Sequence, residues 1–238
     1  MLTLSEKLVL LALVDHEGEV GRTGHSRDFI SYGLACSIIM ELMLSARVTV
    51  ELPRELFLKI TMNNGKVKLL DASPTGDDVL DEALSKLRQS GKGKSPFHWI
   101  KKLRGLTTGK NLPTFGTAFR GSCFLDRMVD KGILYRKKHS TLGYKTPRYP
   151  LLDEQAKRSL IESVHDAILR ESNDPEMTML ISLASTCGLI GEIPFSSAEA
   201  PEVEGRVKAI VDSDPVVRFL TRQVVAAKTS DEVPYTGS

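Results

Sequence analysis

The chain has 238 residues, 41% of them hydrophobic and 26% charged, with a formal net charge of +2. That composition excludes a disordered or collagen-like polymer and suits one large domain or two small ones. Three widely separated cysteines, Cys36, Cys123 and Cys187, exclude a disulfide framework or zinc knuckle and point to buried free thiols in a reducing compartment.

At the N-terminus, Thr3-x-x-Glu6 has the spacing of a capping box and opens an amphipathic helix over Leu4 to Val14. The apolar run Leu8 to Val14 follows an acid and meets Asp15-His16-Glu17 with no small-residue cleavage site, so it is not a signal peptide. No glycosylation sequon, N-terminal Met-Gly or prenylation box occurs. The stretch from Asp28 to Glu51 organises the rest. Phe29 to Ala46 is apolar on every side of a helical wheel apart from Glu41, so that helix has to be buried. At about 18 residues it sits at the lower margin for a bilayer span, where a carboxylate is costly; the core-helix reading is preferred to the span. Ser26 or Asp28 is placed to cap it, and Arg47–Glu51 then alternates as a strand.

Glu55–Met62 and Lys66–Asp71 flank Asn63-Asn64-Gly65 and predict a first β-hairpin. A helix follows over Asp78 to Gln89, whose acids Asp77, Asp78, Asp81 and Glu82 suit the positive end of its dipole better than a metal site. The loop Ser90-Gly-Lys-Gly-Lys-Ser95 resembles part of a phosphate loop, but Arg88 stands where G-x-x-x-x-G-K-S/T requires glycine. Pro96–Arg104 predicts a short helix bearing Trp99, and Pro113–Lys131 a longer one stopped by Gly132. Ile133–Lys138 and Lys145–Tyr149 predict a second hairpin with Leu142 and Tyr144 near its tip and Arg136, Lys137, Lys138, Lys145 and Arg148 as a basic rim. Helices over Asp153–Glu171, Glu176–Cys187, Glu202–Val211 and Pro215–Lys228 complete the chain. The fold class is mainly α: a single-domain helical bundle over 1–230 with two peripheral β-hairpins, and a flexible tail at 231–238.

Between Lys86 and Arg148 there are 16 Lys or Arg and two acids, a local charge of +14; the totals of 32 and 30 leave 16 basic and 28 acidic residues elsewhere. Such asymmetry points to an anionic partner: a membrane surface, nucleic acid or an acidic protein face. The bland alternative is that these charges solvate several helix faces. Enzymatic chemistry finds no support. Gly24-His25-Ser26-Arg27-Asp28 lacks the last glycine of a nucleophile elbow, the five histidines include no i,i+4 pair, and no metal or cofactor motif is present.

The series LTLSEKLVLLAL, DFISYGLACSIIMELMLSARVTVE, SPTGDDVLDEALSKL and MVDKGIL, with helix starts at Asp174-Pro175 and Asp214-Pro215, resembles the Golgi phosphoprotein 3 family from Leu2 to about Lys228. The resemblance implies a mainly helical peripheral membrane protein that recognises phosphatidylinositol 4-phosphate in a basic pocket and inserts an apolar loop, here Ser140 to Lys145, into the bilayer. In eukaryotes it implies retention of Golgi glycosyltransferases by bridging their cytosolic tails to a vesicle coat. The family's pocket tryptophan and arginine fall on Ser26 and Ala35, and its Arg-x-x-Arg pair on Ala118 and Gly121. Arg27 and Arg120 stand next to those positions and Arg22 and Arg127 lie nearby, which makes these four the candidate headgroup residues. A step of one turns a helical side chain by about 100 degrees, so the headgroup stays open between phosphatidylinositol 4-phosphate and anionic lipid in general. The start at the family domain suggests a stand-alone, prokaryotic member.

The reading is a cytoplasmic peripheral membrane protein, on the cytosolic Golgi face if eukaryotic, that acts as a trafficking or retention adaptor. The alternatives are a winged-helix-like nucleic-acid-binding protein and a protein–protein adaptor that self-associates through the 133–149 hairpin. Nucleic acid is not the expected partner, because the central helix is too apolar to read a groove.

Overall fold

Thr3 opens the first helix, α1 (Leu4–Ala12), as its spacing to Glu6 requires. The Thr3 hydroxyl accepts from the Glu6 N–H, and the Glu6 carboxylate accepts from the Thr3 N–H at 2.8 Å. The computed structural model describes residues 1–13, 20, 24–52, 65–91, 93–107, 122–141, 144–170 and 172–232, with 24–28, 122, 139–141, 144–146 and 232 as backbone only. Within α1 every residue except Lys7 is buried.

The central helix, α2 (Gly24–Leu44), is buried at every position from Ile30 to Met40. It begins a turn earlier than expected, so Ser26 and Asp28 lie inside the helix and neither caps its start. Nothing in His25-Ser26-Arg27-Asp28 bars helical backbone: the turn has no proline and no β-branched residue. At its other end Ala46 takes a left-handed φ of 53°, and Arg47 N–H reaches back to Leu42 O at 2.8 Å, which closes the helix. Among the described residues no helix is long and apolar enough to cross a membrane. The apolar surface of α2 is covered by protein instead, packing against α1 and four helices that follow it in the chain.

β1 (Val48–Glu51) pairs antiparallel with β2 (Lys66–Leu69), Val50 opposite Val67. β1 is a partner for β2 that the expected first hairpin, 55–62 with 66–71, did not include. The alternating valines put Val48, Val50 and Val67 on one buried face, and that shared face sets the pairing. The other edge of β2 is met by the backbone of Lys94, whose carbonyl accepts from Val67 N–H at 2.9 Å. Residues 53–64, with the Asn63-Asn64 turn and the 55–62 strand, lie outside the described residues.

α3 (Asp78–Ser90) is capped by Asp77, whose carboxylate accepts from Val79 and Leu80 N–H, and closed by Gly91 at φ 61°. α4 (Pro96–Leu103) carries Trp99 into the core. α5 (Ser122–Asp130) is the described part of the expected 113–131 helix and stops at Gly132, φ 71°. β3 (Lys137–Thr141) and β4 (Tyr144–Arg148) form the second hairpin, shifted toward its tip relative to the sequence expectation. Residues 133–136 instead run up to the strand as a connection, with Leu134 bridged to Leu151.

The last third is α6 (Glu154–Leu169), α7 (Pro175–Thr186), a 3₁₀ turn at Ile190–Glu192, α8 (Ala200–Ser213) and α9 (Pro215–Glu232). Helices α4, α7 and α9 join α1 around α2, so the fold is mainly helical with two small two-stranded sheets, as expected. α9 continues four residues past the expected end at Lys228, where Asp231 is anchored by Lys101 at 2.7 Å and by Arg104 at 3.2 Å. Residues 233–238 lie outside the described residues.

Gly33 of α2 lies against Cys187, which caps the end of α7. A Cβ there would sit 2.6 Å from Cys187 Sγ and 3.4 Å from Leu8 Cδ2. Cys187 is buried and its sulfur is 3.5 Å from Phe29 O, so it has little room to move. Gly33→Ala is therefore expected to destabilise the fold by about 2 kcal/mol in urea unfolding, in the range for overpacked cores. Gly33→Ala with Cys187→Ala should recover most of that loss; no recovery would show that the contact is not the cause.

Candidate membrane-facing surface

The basic rim of the second hairpin is built on cross-strand pairing. Lys137 stands opposite Arg148 and Lys138 opposite Pro147, with Ser140 opposite Lys145 and Thr141 opposite Tyr144 at the tip. Lys137 and Lys138 are exposed and Arg148 is half-buried. Arg136, at the base, is ion-paired to Asp126 and lies 5.8 Å from the Tyr149 ring centre. Tyr149 donates to the same Asp126 oxygen at 2.7 Å, and burial, reinforced by that carboxylate, pushes its phenol up to about 12. Arg136 therefore ties the hairpin to α5, and Lys137 and Lys138 are the rim cations it holds out.

Two apolar side chains join this rim that the sequence reading did not single out. Tyr135 is 42% and Leu152 60% exposed. Each follows a residue of the Leu134–Leu151 bridge, and strand alternation turns it outward while its neighbour is buried or half-buried. Tyr135 N–H donates to Pro150 O at 3.0 Å and Leu152 N–H to Ile133 O at 2.8 Å, so both sit on fixed backbone. The readable signal was the one-residue offset from the buried Leu134. At the tip, Leu142 lies outside the described residues, and Tyr144 and Lys145 are placed by backbone alone.

Of the four candidate headgroup arginines, Arg127 is the one whose side chain is described. Arg22 and Arg120 lie outside the described residues, and Arg27 is fixed only as backbone in the first turns of α2. Arg127 is described and is committed internally: its guanidinium bonds Asp77 at 2.5 Å and lies 3.4 Å from Glu6. Burial works against its charge, but Asp77, Glu6 and Glu41 together raise its pKa. It could serve a headgroup only by leaving the residue that caps α3.

A different arginine reaches the early part of α2. Arg104, at the end of α4, donates from Nε to Ser31 Oγ at 3.0 Å and stacks 4.1 Å from the Tyr32 ring centre. Its charge is shared with Lys101 against Asp231, whose carboxyl is held below its usual range by those partners despite burial. Other cations of the basic block are also matched inside the fold, Lys86 by Glu82 and Lys131 by the buried Glu6. Among the described residues, no group of His, Cys, Asp and Glu is arranged to hold a metal ion. Burial pushes the Cys123 thiol up to about 12 and raises Cys36 further, so neither supplies a thiolate nucleophile at neutral pH.

The model of the Golgi phosphoprotein 3 (GPP34) family matches residues 4–227, from α1 into α9. The chain belongs to that family. A similar protein is the vacuolar protein sorting-associated protein 74 of Schizosaccharomyces pombe, 28% identical over 189 residues, which is 76% of this chain and 53% of the relative. The chain thus spans about half the length of that curated relative. Against the positions of Golgi phosphoprotein 3 pocket residues, Ala35 is fully buried in α2 and Ser26 is backbone only, while Ala118 and Gly121 lie outside the described residues. Arg104 contacts Ser31, one helical turn before Ala35, on the same face of α2.

Proposed function

We propose that this Golgi phosphoprotein 3 family member is a peripheral, non-enzymatic membrane protein that binds anionic phospholipid through the β3–β4 hairpin and serves as a trafficking or retention adaptor. The observation that carries the reading is the exposed pair Lys137 and Lys138 held beside two outward apolar side chains, Tyr135 and Leu152. Apolar side chains that enter the interface beside cations that meet phosphate are what shallow membrane attachment requires. The finer reading is that Leu142 and Tyr144 insert at the tip and that the headgroup is phosphatidylinositol 4-phosphate. Family membership and the sorting-associated name of the yeast relative support it. The setting is the cytosolic face of the Golgi in a eukaryote, with cytosolic tails of membrane proteins as clients. Arg104, Arg27 and the residues around the start of α2 are where the headgroup would be met.

Each basic residue near an anionic leaflet contributes about 1 kcal/mol, so Lys137→Ala with Lys138→Ala is expected to weaken binding roughly 30-fold. Co-sedimentation with vesicles that are neutral, rich in phosphatidylserine, or contain phosphatidylinositol 4-phosphate measures it. Leu142→Asp with Tyr144→Asp tests insertion in the same assay. Wild-type binding by both double variants would defeat the hairpin reading. Unchanged binding together with loss of a dimer by the tip variant would assign the hairpin to self-association.

The nucleic-acid reading loses its recognition element. A helix that reads a groove needs a polar exposed face, and α2 has none between Ile30 and Met40.

A further inference from the structure

A cleft of about 300 Å³ opens at the opposite end of the basic block from the hairpin, between β2, the end of α3 and the start of α4. Leu87 and Trp99 form part of its lining, Lys68 and Arg88 bring positive charge to it, and Gly91 and Gly93 leave it uncrowded by side chains. Its size falls at the lower end for small-molecule sites, which pair an apolar lining with a few placed polar groups. None of its lining residues belongs to α2, α5 or the β3–β4 hairpin.

The charge around this cleft differs from that elsewhere in the block. Arg88 is exposed and has no ion pair among the described residues, while Lys68 faces only Glu51 in a half-exposed surface pair that is weak and easily exchanged. Lys66 lies against Gly93, a Cβ on which would be 3.4 Å from Lys66 Cβ. Lys102 stands 5.1 Å from the Trp99 ring centre. Burial, with Lys102 and then Lys94 adding to it, holds the His98 imidazole below its usual range. Cations at the rim and an apolar wall together select a ligand that is anionic at one end and apolar or ring-shaped at the other.

We propose that the β2–α3–α4 cleft is a binding site for a small phosphomonoester, with Arg88 and Lys68 taking the phosphate and Leu87 and Trp99 the organic body. The site is independent of the hairpin and goes beyond the membrane reading; the phosphoester could be a free metabolite or the phosphorylated headgroup of a lipid.

Trp99 is the only tryptophan in the chain, so its emission reports this cleft alone. Titration with phenyl phosphate is expected to give a saturable change in emission, and titration with phenol none. Arg88→Ala with Lys68→Ala should weaken the phenyl phosphate response at least tenfold. Both residues are exposed, so far-UV circular dichroism and the unliganded emission should match wild type. Vesicles of phosphatidylcholine with and without phosphatidylinositol 4-phosphate form the second arm. An Arg88-dependent shift with the phosphorylated lipid, and none with phenyl phosphate, assigns the site to a headgroup. Lys137→Ala with Lys138→Ala separates the two proposals: it should weaken vesicle binding and leave the phenyl phosphate titration unchanged. No saturable response to either probe, or an equal response in the Arg88/Lys68 variant, overturns the site.

Discussion

Glu6→Ala is expected to lower the unfolding free energy by about 4 kcal/mol, measured by urea denaturation at neutral pH. Glu6 is fully buried, yet its carboxylate meets three donors, two of them from distant parts of the chain. Lys131 approaches its two oxygens at 2.9 and 2.6 Å, Arg127 Nε lies at 3.4 Å, and the Thr3 N–H at 2.8 Å completes the capping box. A buried carboxylate is tolerable only with such partners, and its removal leaves two cations facing a cavity. Loss of the cap adds about 1 kcal/mol. Because Lys131 and Arg127 retain some exposure, water recovers part of the cost, which keeps the loss within the usual range for broken buried pairs. Glu6→Gln preserves an acceptor for Thr3 but not the charge, and should cost about half as much. A Glu6→Ala loss below about 1 kcal/mol would mean that the three donors find water as readily as they found the carboxylate.

The same network explains why the sequence pattern of charge is a poor map of the surface. Along the chain, Lys86 to Arg148 is a nearly pure basic block, and a single basic face is the natural expectation. In three dimensions acids from outside the block fold onto it: Glu6 meets Lys131 and Arg127, Asp77 meets Arg127, and Asp231 meets Lys101 and Arg104. Partners separated by more than a hundred residues, as Arg104 and Asp231 are, leave no trace in local spacing. Among the described residues, cations that stay outward include those of the hairpin rim and of the β2–α3–α4 cleft.

Elements whose determinants are local were legible. Thr3-x-x-Glu6 gave α1 its start, Asp77, Asp174 and Asp214 cap α3, α7 and α9 through their own side chains, and Gly132 ends α5 in the left-handed region. The unbroken apolar run marked α2 as the core helix, and family resemblance led to the right relatives. The partner of β2 was not legible. That pairing rests on a shared face between strands separated in the chain: Val48 and Val50 offered Val67 a buried one. The start of α2 was missed because side chains that cap well are also accommodated within a first turn. Of the site, the hairpin was legible from its alternation. Tyr135 and Leu152 were not, since their exposure depends on a bridge between Leu134 and Leu151 that closes around the hairpin.

Glu41, the one acid in the apolar run, sets a pH dependence that can be isolated by substitution. Its carboxylate accepts from the Ser5 N–H at 2.6 Å and the Ser5 hydroxyl at 2.9 Å, and Ser5 in turn meets Ser37 at 2.7 Å. Burial raises its pKa from 4.5 to about 7; the Ser5 bonds and Arg127 pull the other way without overcoming it, and Asp77 adds to the rise. Native Glu41 therefore holds its proton over a range in which the unfolded chain has lost it. Where the native state binds more protons, stability falls as pH rises. The favourable contribution is complete below about pH 4.5 and is lost progressively up to and through about pH 7. The displacement corresponds to about 3 kcal/mol. Glu41→Gln mimics the protonated acid, keeps an oxygen for Ser5 and cannot ionise. It should match wild type near pH 4 and exceed it by up to about 3 kcal/mol at pH 8, with the gap opening between the two pKa values. Urea midpoints for both proteins at pH 4, 5, 6, 7 and 8 measure that gap, and other titrating groups cancel in the difference. A gap that is constant with pH would show that Glu41 titrates in the fold as it does in the unfolded chain, so that Ser5 and Arg127 offset its burial and leave it ionised at neutral pH. In that case the polar link between α1 and α2 would be a charged one, and the core helix would carry a negative charge opposite Arg127.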